Sequence, residues 1–596
     1  MKKTYLPIAA ALVIALAMTL SSCGKKSGEP HNNFGLSTKN QVVWWQLADA
    51  TNIIPPLSQD ATSSYVYQLI WEGLNGQNPR TNDLIAGVAS LPEISPDHLT
   101  YTYTINPKAK FSDGHPLTGD DVIFSYKDVM NPLNAETTQK RNYIQNVDSV
   151  TFVGGDKMKV AFHLNKLYYK MNEILGGAYV TILPKHIFDP NNVTDKISWG
   201  DLKNPKSDNP ALKDEVAFMT DASHFRDPKF LIGSGAYMFK EWVTGSHITL
   251  RRDTNYWAKD NPWGEAYPDE IVFKTINDFN AALTALKAKD IDLMDGLSGA
   301  LFDQIDTNKQ PYIHKDTVYY NSRVYIEWNE ENPLFQDKRV RWALGHLVNR
   351  DEIIKQVSKG LARPINSVIN FTQPNYDPSI PGVDFNPDKA KQLLAEAGWT
   401  DSDGDGVLDK VIDGKKVPFK FTFMNVSGNK PAEQMLLIIS EQLRKVGIQA
   451  DVSSFEWSVW INNRRNHQYD ASISNFVGNA TEDDEYQLLH SSQAKNKGSN
   501  VFSFINPEAD KIMEAIRVEF DKAKRLELSK QLQKIVYDEQ PLTMLWSSPL
   551  RIGVLRRFDN VEWFTQRPCY TVTTWIVRGS GVMPKANAPS TYANTW

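Results

Sequence analysis

An α/β fold divided into two or more lobes is what this sequence predicts, on three grounds. The chain has 596 residues, more than one hydrophobic core usually organises. Its early part reads as strands punctuated by turns, whereas from about residue 330 strands alternate with amphipathic helices. Between about residues 417 and 452 that alternation makes a complete strand–helix–strand unit, which favours a sheet flanked by helices. The composition agrees, since 41% hydrophobic and 11% aromatic residues exclude a disordered chain. With 65 Lys+Arg against 70 Asp+Glu the formal net charge is −5, so no basic face for nucleic acid is expected.

The amino-terminal residues suggest a compartment. Lys2 and Lys3 precede an uncharged, largely apolar run at residues 4–20. That run is short for a bilayer span and suits a signal-peptide core. It ends in Leu20-Ser21-Ser22-Cys23, which resembles the bacterial lipobox. The resemblance implies removal of residues 1–22 and acylation of Cys23, with enough lipid for stable anchoring. The alternatives are an uncleaved anchor helix or a chance cysteine behind a secretory signal. Residues 23–38, polar and rich in breakers, read as a tether to the fold. The second cysteine, Cys569, reads as buried packing rather than as a catalytic thiol, because Pro568 and Tyr570 supply no activating base.

Local signals place the elements. Thr100-Tyr101-Thr102-Tyr103-Thr104-Ile105 is β-branched and aromatic, a strand ended by Asn106-Pro107. Asp113-Gly114 marks a turn, and Thr118 caps a helix whose first turn carries Asp120 and Asp121. Asn386-Pro387-Asp388 opens a helix with Ala390, Leu393, Leu394 and Ala397 on one face, and Gly398 stops it. A strand is expected at residues 417–424, a helix at 431–446 and a strand again at 448–452. Asn506-Pro507-Glu508 repeats the cap device, and Leu528, Leu532, Ile535 and Val536 line the next helix.

Six further stretches, in order, resemble one family. They are Gln68-Leu69-Ile70-Trp71-Glu72-Gly73-Leu74; Lys110-Phe111-Ser112-Asp113-Gly114-His115-Pro116-Leu117 with Asp120-Asp121-Val122; and Gly233-Ser234-Gly235-Ala236-Tyr237 with Asn255-Tyr256-Trp257. Then follow Ala285-Leu286 with Asp290-Ile291-Asp292; Pro333-Leu334-Phe335 with Arg339-Val340-Arg341; and Asn386-Pro387-Asp388-Lys389-Ala390 with Leu393-Leu394 and Ala397-Gly398-Trp399. Together they are similar to the large extracytoplasmic solute-binding proteins of ABC transporters, the dipeptide-, oligopeptide- and nickel-binding type (family 5). The resemblance covers about residues 40–560.

It implies a two-lobed, periplasmic-binding-protein-like (type II) clamshell. Lobe 1 would comprise residues 39–318, with an inserted subdomain at about 72–225, and lobe 2 residues 319–548. Residues 549–596 would return to lobe 1. The implied function is capture of a peptide or peptide-like solute, closure around it and delivery to ABC permease subunits, by a monomer on the outer side of a bacterial membrane. No catalysis and no cofactor are implied. A lipid-anchored glycan-binding protein or glycoside hydrolase is the alternative, motivated by the abundant Trp and Tyr, and would require paired carboxylates in a groove.

The resemblance also points to pocket residues. In peptide-binding members an Asp after a glycine meets the ligand α-amine; here Phe476-Val477-Gly478-Asn479-Ala480 puts Asn479 at that position. Asn accepts a hydrogen bond without contributing charge, so a free amine is recognised less strongly unless Glu482 or Asp483 turns in. Glu482, Asp483, Asp484 and Glu485 read either as pocket lining or as a solvated acidic loop. Trp460, Trp457 and one of the pair Trp44-Trp45, taken as Trp45, are aromatic candidates. Asp60, Ala61 and Thr62 lie where family members offer backbone to the ligand.

Two signals stand apart. Asp401, Asp403, Asp405 and Asp409 with Gly406 match a calcium-loop spacing, but Ile412 occupies the bidentate position. A structural calcium and a plain turn are both open readings. Gly296-Leu297-Ser298-Gly299-Ala300 is a near miss for a nucleophile elbow.

Overall fold

The computed structural model describes residues 34–58, 60–177, 179–259, 265–495 and 498–582. The predicted leader at residues 1–22, Cys23 and most of the tether lie outside the described residues. Two large sheets organise the remainder. The seven-stranded sheet runs, in spatial order, Ile313–Val318, Leu550–Leu555, Leu293–Met294, Gln41–Gln46, Glu270–Thr275, His247–Arg252 and Tyr237–Val243. The six-stranded sheet runs Arg363–Pro364, Leu542–Ser547, Ser322–Trp328, Ala471–Val477, Lys420–Val426 and Gln449–Phe455. The chain passes from one to the other through residues 319–321 and returns through residues 548–549.

Each sheet has its own core. Val42, Trp44, Phe273, Leu293 and Val554 belong to the first. Ile326, Trp328, Phe421 and Phe423 belong to the second, packed with Leu436 and Ile439 of the helix Lys430–Arg444. A third sheet of four strands, Glu93–Ile94, Thr100–Thr104, Asp156–Leu164 and Val147–Val153, packs Tyr101, Tyr103 and Phe162 into a separate cluster with the helix Gly119–Met130. Two-layer packing of this kind accounts for an α/β chain of this size with several cores.

Helix starts follow the capping chemistry. Thr118 and Asp121 cap each other reciprocally. Asn386 accepts from the Lys389 N–H at 3.0 Å ahead of Pro387–Glu396, and Gly398 takes the left-handed φ of +86° that ends that segment. The strand–helix–strand unit is present, with Lys420–Val426 parallel to Gln449–Phe455. Its first strand differs from the expectation of a single run at 417–424. Asp413 and Gly414 both have positive φ, so Asp409–Ile412 and Lys415–Pro418 fold into a hairpin before the buried Phe419, and the sheet strand starts at Lys420.

Strand direction decides where a ligand site can form. Lys420–Val426 is parallel to Gln449–Phe455 and to Ala471–Val477, so their carboxyl ends share one edge of the second sheet. Ser322 stands opposite Val477, which puts the incoming crossover at that edge. In the first sheet Gln41–Gln46 is parallel to Glu270–Thr275 and Leu293–Met294, and their carboxyl ends point toward Val318 and Leu550, where the same crossovers leave. Such edges are where open α/β sheets bind ligands. Among the described residues no helix is long and apolar enough to cross a membrane.

Candidate ligand-binding site

The strand Ala471–Val477 is paired with Ser322–Trp328 along its whole length. On its other side it meets Lys420–Val426 only at Ala471 and Ser472. Residues 475–477 therefore carry a backbone edge with no ladder partner among the described strands. Directly after it the chain turns through Gly478, whose N–H donates to the Asn321 carbonyl at 2.9 Å. A Cβ there would stand 2.4 Å from Asn321 Nδ2, so any side chain would displace the amide that holds the Asn479 carbonyl.

Side chains from both lobes hold the next residues. The Asn479 carbonyl accepts from Asn321 Nδ2 at 2.9 Å and Gln373 Nε2 at 2.7 Å. Asn479 Nδ2 donates to the Tyr179 hydroxyl at 2.6 Å. The Ala480 N–H donates to Gln566 Oε1 at 2.8 Å, and the Thr481 hydroxyl donates to Glu173 Oε2 at 2.9 Å. Tyr179 and Glu173 precede the first crossover and Gln566 follows the second, so the segment is a meeting point of the two lobes.

The acidic run is not a solvated loop. Glu482, Asp484 and Glu485 are buried, and each has its own cation: Arg525 at 3.0 Å, Arg517 at 2.9 Å and Arg323 at 2.7 Å. The half-buried Asp483 acts on Lys170, whose burial alone would lower its pKa. The carboxylates of Asp483 and Glu173 outweigh that and hold the ammonium above the ordinary lysine value. Burial pushes Glu485 up to about 7 against the pull of Arg323. Burial and the neighbouring Asp483 likewise raise Asp484 against Arg517. Across the lobes, the Tyr169 N–H donates to the Arg517 carbonyl at 2.9 Å. Arg517 and Arg525 lie over the rings of Tyr168 and Tyr169 at 4.5 and 4.3 Å. A cavity of about 580 Å³, within the range of small-ligand sites, borders this segment between Glu173, Tyr169, Gln373, Thr481 and Arg525.

The other candidates are dispersed. Phe476 lies under the Arg323 guanidinium at 4.6 Å. Trp460, only 5% exposed, packs with Met424 and Tyr469 and donates to the Ser472 hydroxyl at 3.1 Å, so it is core rather than pocket paving. Trp457 has the opposite fate: it is 60% exposed and stacks on Trp460 at 5.1 Å, just beyond the carboxyl end of Gln449–Phe455. Trp45 is corrected as well. Its Nε1 donates to the Ile276 carbonyl at 2.9 Å and its ring packs edge-on against Phe279, leaving no open face. Asp60 caps the helix Ala61–Ile70, accepting from Ser63 and Thr51. Burial alone would raise its pKa, and these bonds lower it. Ala61 and Thr62 form the first turn of that helix.

Sequence reasoning missed a cluster on the first lobe. Arg567 Nη2 donates to the Tyr65 hydroxyl at 3.2 Å, one residue from Gln566 and its bond to Ala480. Tyr65 stacks on Trp44 at 4.9 Å, and Tyr570 donates to Asp295 at 2.5 Å. Among the described residues no carboxylate stands within 4.0 Å of the Arg567 guanidinium. Of these the sequence flags only Trp44, as one of a pair, because the residues converge from four segments without a spacing motif.

Two of the remaining signals resolve into structure, and the third keeps three of its four carboxylates together. Ser298 caps Gly299–Asp303, with its hydroxyl accepting from the Leu301 N–H, as a helix cap does. Cys569 is buried, which pushes its thiol up to about 12. Asp401, Asp403 and Asp405 bring their oxygens within 4.8 Å of one another, but Asp409 is not among them. It accepts from the Ser402 hydroxyl at 2.7 Å, and Lys416 Nζ reaches both Asp403 at 2.5 Å and Asp409 at 3.2 Å. Lys416 thus supplies a countercharge to two of the four carboxylates.

Comparison with known proteins extends the picture. The model of the bacterial extracellular solute-binding proteins, family 5 Middle, matches residues 83–498. The oligopeptide-binding protein AppA of Bacillus subtilis (strain 168) is 31% identical over 585 residues, 96% of this chain and 99% of the relative. The dipeptide-binding protein of Escherichia coli (strain K12) is 24% identical, covering 82% of this chain and 84% of its own length. Among solved structures, AppA from Bacillus subtilis in complex with a nonapeptide superposes with a TM-score of 0.70 at 28% identity, covering 90% of this chain and 98% of that one. NikA from Brucella suis in complex with Fe(III)-EDTA superposes at 0.74 with 20% identity, covering 90% and 100%, a likeness of fold. On these grounds the chain belongs to the bacterial extracellular solute-binding proteins of family 5, with their two-lobed type II fold.

Proposed function

We propose that this chain captures a peptide between its lobes and hands it, chemically unchanged, to the permease of an ABC importer. The observation that carries the reading is the unpaired backbone edge at residues 475–477, beside a segment gripped by both lobes. An extended peptide adds to such an edge through main-chain hydrogen bonds. Closure then follows because the ligand binds the closed arrangement better than the open one. The likeness to an oligopeptide-binding relative over nearly the whole chain supports the same reading, and nothing in the comparisons supports the glycan alternative.

Three groups would set specificity. Trp457 offers an exposed ring at the end of Gln449–Phe455, two strands away in the same sheet. Arg567 offers a guanidinium with no carboxylate within 4.0 Å among the described residues, though Asp295 acts on it from further off, and it is suited to a ligand carboxylate. Asn479 offers a neutral oxygen where a charged acceptor would favour a free amine; the difference is about 1 kcal/mol. Isothermal titration of the full chain with peptides of three to nine residues, free and amino-acetylated, tests this. Saturable binding that falls less than about tenfold on acetylation is expected. Failure of every peptide to bind sinks the transport reading, and a loss beyond about a hundredfold on acetylation sinks the role given to Asn479.

In the same reading the protein is a monomer held to the membrane by acylated Cys23. Cys23→Ser then moves it into the soluble fraction; retention in the membrane fraction contradicts the anchor.

A further inference from the structure

We propose that Asp113, His115 and His186 form a transition-metal site on the first lobe, of the kind that takes Zn²⁺. The three side chains come from two segments 71 residues apart along the chain. Asp113 and His115 sit on a tight turn closed by the Phe111 N–H to the His115 carbonyl and the Gly114 N–H to the Phe111 carbonyl, both 2.9 Å. Gly114 takes a φ of +94°, which fixes the reversal. His186 arrives on the short helix Lys185–Phe188, whose Lys185 N–H is held by Asp121 Oδ1 at 2.9 Å. Asp121 also caps the helix that follows the turn, so one buried carboxylate sets both segments.

The Asp113 carboxylate is oriented before any ion arrives. Its Oδ1 accepts the His115 N–H at 3.0 Å. That leaves Oδ2 facing both rings, 2.7 Å from His186 Nε2 and 3.2 Å from His115 Nδ1. All three donor atoms lie within 4.8 Å of one another. A tetrahedral ion with bonds of about 2.0–2.2 Å requires donor separations of roughly 3.3 Å, close to the two separations from Asp113 Oδ2. The rings stack at 3.9 Å between centroids. An ion in the plane of both therefore requires His115, whose side chain is 60% exposed, to swing off the stack. His186 stays braced against Phe111 at 5.9 Å.

The donor set selects the metal. Two imidazoles and one carboxylate suit Zn²⁺ and its neighbours and are poor ligands for Ca²⁺ or Mg²⁺, which prefer all-oxygen cages. The Oδ1 anchor is the kind of outer hydrogen bond that fixes a metal-binding carboxylate. With three protein donors the fourth position belongs to water. Bound there, the ion would tie the turn to the helix Lys185–Phe188 and stabilise the first lobe by mass action.

Isothermal titration of the full chain with ZnCl₂ in a non-chelating buffer tests the proposal. One saturable site in the micromolar range is expected. His115→Gln, at an exposed position unable to disturb the fold, should weaken it at least about tenfold, and the double variant with His186→Gln should abolish it. Thermal melts with added Zn²⁺ should rise for the wild type and stay level for the double variant. Absence of a saturable site, or unchanged binding in the double variant, overturns the assignment.

Discussion

Two acidic stretches of this chain look alike as text and end in opposite environments. Asp401, Asp403 and Asp405 lie on a surface turn ahead of the buried Asp409, and one lysine, Lys416, answers both Asp403 and Asp409. Of Glu482, Asp483, Asp484 and Glu485, near where the lobes meet, three are buried with an arginine each, and the half-buried Asp483 shares Lys170 with Glu173. On the surface, water screens the charges and the turn tolerates one shared partner. In the interior each ion has lost its hydration and needs a dedicated partner. Burial therefore reverses the direction of the pKa shifts. The hydrogen bond from Lys416 holds Asp403 below the usual carboxylate range, whereas burial lifts Glu485 to about 7.

The contrast breaks most visibly at Arg323, 1% exposed against Glu485. Arg323→Met strands that carboxylate and should cost about 3–5 kcal/mol at pH 8, read from urea midpoints. The loss should shrink at pH 5, where Glu485 takes up a proton. Equal loss at both values would show that packing alone is at stake. Next comes Glu485→Gln. A buried acid whose folded pKa exceeds its unfolded value of about 4.5 favours the folded state below the unfolded pKa. That contribution disappears as pH rises through about 7. The wild type minus variant difference should therefore fall by roughly 3 kcal/mol from pH 4.5 to 8. A flat difference would remove burial as the cause.

Smaller effects sharpen the functional half of the comparison. Asn479→Asp adds a charge at the lip of the buried stretch and should tighten free-amine peptides by up to about tenfold in titration calorimetry, with no gain for acetylated ones. Equal gains for both would place the ligand amine elsewhere. At the bottom of the scale, Asp403→Asn on the surface turn should leave the unfolding midpoint unmoved within error. A clear drop would mean that the turn does more than shape a hairpin.

These two stretches also mark what was legible in the sequence. Helix caps such as Asn386-Pro387 and Asn506-Pro507 were readable because cap chemistry acts within four residues. The α/β class was readable from periodicity. The fate of the acids was not, because Lys170, Arg323, Arg517 and Arg525 reach them from separate parts of the chain. The exchange of roles between Trp457 and Trp460 has the same origin. Helical spacing puts two rings near each other, but only the strand beneath decides which one is covered. The site segment at 476–480 came from family resemblance, whereas Arg567 and the pair His115 and His186 required the folded chain.

The position of Leu550–Leu555 has a consequence for how the molecule is made. That strand lies between Ile313–Val318 and Leu293–Met294, and Arg557, just after it, neutralises the buried Asp292 that also accepts the Val43 N–H. A chain emerging from its amino end therefore holds an open seam in its first lobe until more than nine-tenths of it has been synthesised. Among the described strands Ile313–Val318 has no other ladder partner to wait beside. The second lobe, by contrast, is encoded without interruption and has all its strands in hand before that seam can shut.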